Sequence, residues 1–340
     1  MNVQDIEILL GLTEILESHT VYNSTDWKIY NGLCSIINDK EWKESDHPRD
    51  EKGRFARSNG GGGSASEHQP SPEYTEILES IRESNKANIT PEDVIKSAVK
   101  NLGLDAEKVQ QKIDYAEEYA KTWTEDTQTR YKKNGVYTEE RQKLHDEILT
   151  DIFKNAESAR PPEGQEPTAI FLGGRGGSGK SKFNGLVYDE SKYIVLDADK
   201  IKDRLKPEYQ GFNASEVHEE SSEILSKAIE IAQENKFNVV IDATMKSLGS
   251  TERKIQSFAN KDYNIEMYYM HLPRIKAAER AISRFTGEEG GRYVPLVELL
   301  KMKDNEENFD QLKHYASKWA FYNNDVPRKE DKPILIDKNY

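Results

Sequence analysis

Apolar positions recur along this chain with two rhythms, and the change between them falls at Pro161-Pro162. Before it the spacing is helical. Ile6, Leu9, Leu10, Leu12, Ile15 and Leu16 predict one amphipathic helix, and Tyr30, Leu33, Ile36 and Ile37 a second. Residues 1–43 therefore read as a small helical module, too short for a robust core of its own and expected to pack on another surface. From 44 to 72 the periodicity stops. Asp46 to Phe55 is charged, and Gly60 to Gly63 followed by Ser64-Ala65-Ser66 has the composition of a flexible linker. From 73 to 162 helices return. Thr90-Pro91-Glu92-Asp93 is a helix start, Val94, Ile95, Ala98 and Val99 continue it, and Gly103 stops it. Further helices are expected over 105–126 and 138–156, with Asn134-Gly135 as a turn between them.

After the two prolines, short apolar runs alternate with helical stretches. Candidate strands are Thr168–Leu172, Tyr193–Leu196, Asn238–Ile241, Glu266–Met270 and Pro333–Ile336. Helices are expected between them, at roughly 181–187, 199–205, 215–235, 250–260 and 273–285. This alternation predicts an α/β domain over 163–340: a mostly parallel sheet with helices on both faces, binding ligands beyond the C-terminal strand ends. An all-helical region precedes it.

Composition narrows the functions this fold could serve. Hydrophobic residues make up 35% of the 340 and charged residues 32%, so part of the length is not expected to be packed core. A net charge of −13 repels a phosphate backbone and makes a long nucleic-acid partner unlikely. Cys34 is the only cysteine, which excludes a disulfide framework. No apolar run approaches the roughly 20 residues of a membrane span, and the opening residues are acidic, unlike a secretory signal. A cytoplasmic, non-membrane protein is expected.

The chemistry begins at the end of the first strand of this domain. Gly174-Arg175-Gly176-Gly177-Ser178-Gly179-Lys180-Ser181 matches the phosphate-binding pattern G-x-x-x-x-G-K-[ST]. Glycines let successive backbone N–H groups point at phosphate oxygens, and Lys180 adds a cation toward the β- and γ-phosphates. Ser181 offers a hydroxyl to Mg²⁺, and a helix starting here would turn its positive end to the anion. Gly174, Gly176 and Gly179 also fit a dinucleotide fingerprint, with Asp197 and Asp199 about twenty residues on. That pattern has no need of the Lys180-Ser181 pair, so a nucleoside triphosphate, ATP or GTP, is the expected ligand.

Phosphoryl transfer needs positioning and charge neutralisation more than covalent work. Asp197-Ala198-Asp199 ends the second strand, placing both acids at the ligand edge; one could accept a hydroxyl proton while the other positions Mg²⁺. The plainer reading of Asp199 is the N-cap of the helix that follows. Asn238-Val239-Val240-Ile241-Asp242 has the apolar-run-plus-acid form of a Walker B strand, with Thr244 beside it; the pair reads as acceptor-binding. Arg284 and Arg292 flank a glycine-rich turn and suit a flap that delivers cations to the transition state. The seven histidines show no metal-ligand spacing.

In this order the parts resemble the zeta toxin family of P-loop kinases, over roughly residues 165–340. The matching residues are Gly174–Ser181, then Asp197-Ala198-Asp199 with Lys202, Pro207 and Tyr209, then Asp242-Ala243-Thr244. Met267 to Pro273, Ile282 to Phe285 and Gly291 to Pro295 follow in turn. The resemblance implies that Asp199 is the catalytic base and that Arg284 and Arg292 hold the γ-phosphate. It implies a toxin and a possible antitoxin partner. Well-studied members phosphorylate UDP-N-acetylglucosamine. Here Asp242-Ala243-Thr244-Met245-Lys246 replaces an E-G-T-x-R context, so the acceptor is written as a small nucleotide-like hydroxyl. Asp46 to Phe55 is similar to a linker in proteins encoded near tailed-phage structural genes, which implies a prophage-borne protein and a possible phage-protein partner. The alternatives are a polynucleotide 5′-hydroxyl kinase and a non-enzymatic NTP-dependent switch. Residues 1–158 could also act as a built-in inhibitor.

Overall fold

The computed structural model describes residues 70–287, 291–327 and 331–340. The helical module expected at 1–43 lies outside the described residues, as does the linker up to residue 69 with its Asp46–Phe55 segment.

The described chain opens with α1 (Pro72–Lys86), α2 (Pro91–Leu102), α3 (Ala106–Lys121) and α4 (Thr127–Tyr131). Local chemistry sets their ends. Thr90 and Asp93 form a reciprocal capping box at α2, Pro91 occupies its first turn, and Gly103 closes it at φ 66°. The helix expected over 105–126 is shorter. Thr122 Oγ1 donates back to the Tyr119 carbonyl at 2.7 Å, and Asp126 caps the new turn of α4. Asn134 (φ 51°) and Gly135 (φ 79°) make the tight turn of a small hairpin, β1 (Lys132–Lys133) with β2 (Val136–Tyr137). Then α5 (Glu139–Ile152) follows, capped by Thr138.

The sheet has six strands in the order β4-β5-β3-β6-β7-β8. They are β3 (Thr168–Gly173), β4 (Ile194–Leu196), β5 (Val239–Asp242), β6 (Asn264–His271), β7 (Lys318–Asn323) and β8 (Ile334–Lys338). Strands β3 to β7 run parallel and β8 pairs antiparallel with β7. The five expected strands are present, with ends shifted by one or two residues. Strand β7 was not expected: its apolar core Trp319-Ala320-Phe321-Tyr322 is a short unbroken run, which periodicity cannot separate from a buried helical turn.

Between the strands lie α6 (Ala198–Lys202), α7 (His218–Glu234), α8 (Leu248–Ala259), α9 (Arg274–Thr286), α10 (Leu296–Leu300) and α11 (Asn305–Leu312). The two sheet faces are covered unequally. Ala169, Phe171, Ile241, Met267 and Phe321 on one face pack against side chains of six helices, among them Tyr74, Ile148, Ile201, Ala228, Phe258 and Phe309. On the other, Ile170, Leu172, Val240 and Met270 meet Phe183, Val187, Tyr188 and Tyr193. The helix expected over 181–187 is therefore only a 3₁₀ turn, Lys180–Phe183. Asn184 ends it, because its side chain bonds to Glu190 twice, at 2.8 and 3.2 Å, and competes with the helical ladder. A third cluster joins Val94, Val109 and Ile113 of α2 and α3 to Ala278, Ile282 and Phe285 of α9. The preceding helices thus share the cores of the sheet domain. Among the described residues no helix is long and apolar enough to cross a membrane.

A buried ionic network fastens α5 to this body. Arg141 donates to both carboxylate oxygens of Glu220 on α7, at 2.6 and 2.8 Å, and to Glu208 at 3.0 Å. His145 Nε2 lies 2.6 Å from the same carboxylate. Burial alone would raise the Glu220 pKa, but His145 and Arg141 more than offset it and hold the carboxyl at about 2. Ionised Glu220 thus stabilises the fold above the unfolded carboxylate value of roughly 4.3, and the contribution is lost as pH falls toward 2. Glu220→Gln leaves buried Arg141 with Glu208 alone to balance it and His145 without its carboxylate, and should cost about 3–5 kcal/mol at pH 7. Urea unfolding from pH 7 to pH 3 should show the gap to wild type narrowing below about pH 4.3. A gap that stays constant with pH would contradict this account.

Candidate functional site

Parallel pairing sets the site. Leu172 lies beside Asp242 and Leu196 beside Ile241, so the ends of β3, β4 and β5 are level. The loop after β3, Asp197 after β4 and Asp242 closing β5 consequently share one edge.

The loop Gly174–Ser181 is held by tight packing. Gly174 has φ 138°, and a Cβ there would lie 2.6 Å from Ser178 Oγ and 2.7 Å from the Met270 carbonyl oxygen. Gly177, at φ 86°, presses on the Ala277 carbonyl of α9. No side chain fits at either position. Gly176 and Gly179 complete the loop, Gly179 in the left-handed region. Ser178 Oγ is buried with no hydrogen-bond partner among the described residues. An orphan hydroxyl inside a glycine cradle is what a phosphate oxygen would satisfy. Lys180 Nζ donates to the Gly174 carbonyl at 2.9 Å and stands 3.5 Å from Asp242 Oδ1. Ser181 is exposed at the start of the 3₁₀ turn. Because no long helix begins here, the loop's backbone amides and Lys180, not a helix dipole, supply the positive potential.

Arg175 serves the loop from beneath. Its guanidinium is buried, pairs with both oxygens of Glu306 on α11, and donates through Nε to the Met302 carbonyl at 2.7 Å. His271 Nδ1 sits 2.8 Å from the same carboxylate. Burial opposes ionisation of Glu306, yet Arg175 and His271 hold its carboxyl at about 2. Arg175 thus turns its side chain inward, and any contribution it makes to a ligand comes from its backbone.

At the end of β4, Asp197 Oδ1 accepts the Asp199 N–H at 2.8 Å, so Asp197 and not Asp199 is the N-cap of α6. Asp199 stands free of that task. Its Oδ2 pairs with Arg292 at 2.7 Å, and Lys202 Nζ approaches Oδ1 at 3.3 Å. Burial raises the Asp242 pKa, and Lys180 counters it. Thr244 and its neighbours are fixed by α11: Asn305 Nδ2 donates to the Thr244 carbonyl at 2.5 Å and Asn308 Nδ2 to the Met245 carbonyl at 2.8 Å. Lys246 pairs with Glu298 at 3.0 Å. Arg284 packs against Gly291, whose amide donates to the Arg284 carbonyl at 3.0 Å, and so lies next to the Arg292 segment.

The sequence reading missed Asn324. Fully buried just past β7, it donates Nδ2 to the Ser178 carbonyl at 2.6 Å, and its Oδ1 accepts from Lys182 Nζ at 2.9 Å. Arg280 in turn bonds its carbonyl at 3.3 Å. The signal was the polar Asn323-Asn324-Asp325 after a short apolar run, legible only once that run is read as a strand.

Residues 152–339 match the profile of the family described as Zeta toxin. Curated relatives include Toxin zeta of Enterococcus hirae and Toxin zeta of Streptococcus pyogenes, each 27% identical over 129 residues. Those matches cover 36% of this chain and 45% of each relative, so the chain spans about half the length of the curated relatives it matches. Among solved structures, the AvrRxo1-ORF1:AvrRxo1-ORF2 complex with sulphate ions superposes with a TM-score of 0.51 at 14% identity, covering 64% of this chain and 77% of that one. The same assembly with ATP gives the same values. At that identity the likeness is one of fold.

If Asn324 holds the loop in shape, Asn324→Ala should weaken binding of ATP by about tenfold, the equivalent of one lost buried hydrogen bond. Calorimetric titration with a non-hydrolysable ATP analogue reads this directly. Unchanged affinity would show that the loop keeps its form without the strap.

Proposed function

The chain belongs to the zeta toxin family, and on that premise we propose that it is an ATP- or GTP-dependent kinase of a small nucleotide-like hydroxyl, acting as a toxin. The observation that carries the reading is the juxtaposition at one sheet edge of a glycine loop bearing Lys180 with an acid, Asp199, already paired to Arg292 at 2.7 Å. Donor loop, base and cation are within one site.

In the proposed reaction, Lys180 exchanges the Gly174 carbonyl for β- and γ-phosphate oxygens, while the loop amides and Ser178 Oγ take others. The Ser181 hydroxyl, with Asp242 and the second oxygen of Asp197 at the same edge, would hold Mg²⁺, which would neutralise phosphate charge there. Among the described residues no three His, Cys, Asp or Glu form a cage, as suits an ion that relies on phosphate and water. Asp199 accepts the acceptor's hydroxyl proton as the O–P bond forms and the bond to the β-phosphate oxygen breaks, releasing the nucleoside diphosphate. Arg292, drawn from Asp199 toward the γ-phosphoryl, and Arg284 beside it offset the developing charge. Asp242 and Thr244 face the acceptor. UDP-N-acetylglucosamine is one candidate acceptor, although Lys246 is tied to Glu298 where an arginine is expected in the better-known pattern. An antitoxin is the proposed protein partner. A polynucleotide acceptor is disfavoured by the net charge of −13.

Asp199→Asn should lower turnover by about 10²–10⁴ and leave ATP affinity unchanged. Wild type and variant would be incubated with γ-labelled ATP and a mixture of UDP-sugars, dinucleotides and oligonucleotides, then read by mass spectrometry. Absence of any product phosphorylated by wild type alone would overturn the kinase reading.

A further inference from the structure

The Gly174–Ser181 loop follows β3, and the groups around it divide to the two sides of that strand. Asp242 closes β5, and Asp197 and Asp199 follow β4, all on one side. Lys180 leans that way, 3.5 Å from Asp242. On the other side lie β6 and β7, and Asn324 comes directly after β7. A triphosphate whose γ-end is met by Lys180, Arg292 and Asp199 must carry its nucleoside away from them. The topology leaves that end the β6–β7 side.

Most polar groups on that side are already engaged. Asn324 stands so close to Gly179 that a Cβ there would collide with its Nδ2. The Lys182 ammonium is taken by Asn324 Oδ1 at 2.9 Å and by the Asp331 carbonyl at 2.8 Å. Lys276 Nζ bonds both carboxylate oxygens of Asp325, at 2.6 and 2.8 Å.

Arg280 of α9 differs from these. Ala277 and Ala281 both border Gly177, and Arg280 stands next to Ala281 on the same helix. It is half-buried, and its guanidinium makes one hydrogen bond, from Nη2 to the Asn324 carbonyl at 3.3 Å. It has no other hydrogen bond or ion pair among the described residues. Four of its five N–H donors and the plane that carries them are therefore unused. Arg284 lies one turn further along α9, about 6 Å on along the helix axis. The surroundings of the two differ: Arg284 borders Gly291 beside Arg292, and Arg280 borders Asn324 past β7. One helix thus carries an arginine toward each side of the loop.

We propose that Arg280 binds the base of the donor nucleotide by laying its guanidinium plane on the ring. A planar, weakly hydrated cation stacks on an aromatic face, and every base has one. The contact therefore grows with ring area and is indifferent to the pattern of groups at the ring edge. A two-ring purine gains more from it than a one-ring pyrimidine. Lys276 and Asp325 satisfy each other and Lys182 is tied to Asn324, so none of these groups is left to tell adenine from guanine. The donor preference that follows is purine over pyrimidine, with ATP and GTP accepted alike.

The inference rests on the kinase reading for its donor, but equilibrium binding tests it with no acceptor and no turnover. The full chain with Mg²⁺ would be titrated calorimetrically with tripolyphosphate and with non-hydrolysable analogues of ATP, GTP and UTP. The ATP and GTP analogues should agree within about threefold and bind about tenfold tighter than tripolyphosphate, with the UTP analogue between. Arg280→Leu should bring both purine analogues down to about the affinity of tripolyphosphate. Binding of tripolyphosphate itself should change little, which reports a folded chain and an intact loop. Arg280→Lys keeps the charge and loses the plane, so it should behave as Arg280→Leu does. Full purine affinity in Arg280→Lys would overturn the stack. So would an equal loss of tripolyphosphate binding in Arg280→Leu, or a preference above about tenfold between the two purines. Phosphate transfer in the mass-spectrometric assay would then still stand for the kinase itself. Purine preference lost with Arg280, in a chain that transfers no phosphate, would keep the base contact and remove the kinase.

Discussion

The buried pair between Arg175 and Glu306 is the constraint on which the site depends. It joins the second residue of the phosphate loop to α11 in a place without water, where His271 shares the carboxylate and the Met302 carbonyl takes the third arginine donor. Such a pair contributes geometry more than stability, because desolvation offsets most of its attraction. Its value is positional. The same short helix that holds Glu306 also holds Asn305 and Asn308, whose amides fix the backbone after Asp242. One element therefore sets the donor loop and the proposed acceptor loop relative to each other. Asn324 holds the Gly174–Ser181 loop from the end of β7, and α9 closes that loop through Ala277.

The helices before the sheet are part of that arrangement. Tyr74 of α1 packs in the main core against Trp319 and Phe321, at centroid distances of 6.0 and 5.1 Å. Arg141 of α5 is buried with Glu220 and Glu208, and α2 and α3 cover α9, the helix that presses on Gly177 and carries Arg284. A chain lacking these helices would expose the apolar face of α9. This dependence also ties α3 to the Arg292 segment, where the Tyr293 hydroxyl donates to Glu117.

Much of the Gly174–Ser181 loop was legible from residues alone. A phosphate loop is local: its glycines, lysine and serine must be consecutive, so spacing reveals it. Capping is local too, and Thr90, Pro91, Gly103 and the Asn134-Gly135 turn were all read from neighbours in sequence. Strand ends carrying Asp197 and Asp242 followed from apolar runs. What spacing could not show were the roles that depend on distant partners. Arg175 reads as one more member of the phosphate-binding pattern until Glu306, far along the chain, takes its side chain inward. Asp197 and Asp199 are equivalent on paper, and only the cap geometry separates them.

By itself, then, the sequence determined most of the elements, the α/β alternation and the glycine loop with its lysine and serine, because each is written in residues a few positions apart. Tertiary structure decided the rest. It shortened the helix after the loop to a 3₁₀ turn, since Asn184 found Glu190 and Phe183 found the sheet. It placed β7 within the sheet because β6 and β8 supplied partners on either side, and it brought Asn324 to the loop. These outcomes depend on which groups lose water together, and that is settled by packing across the whole chain.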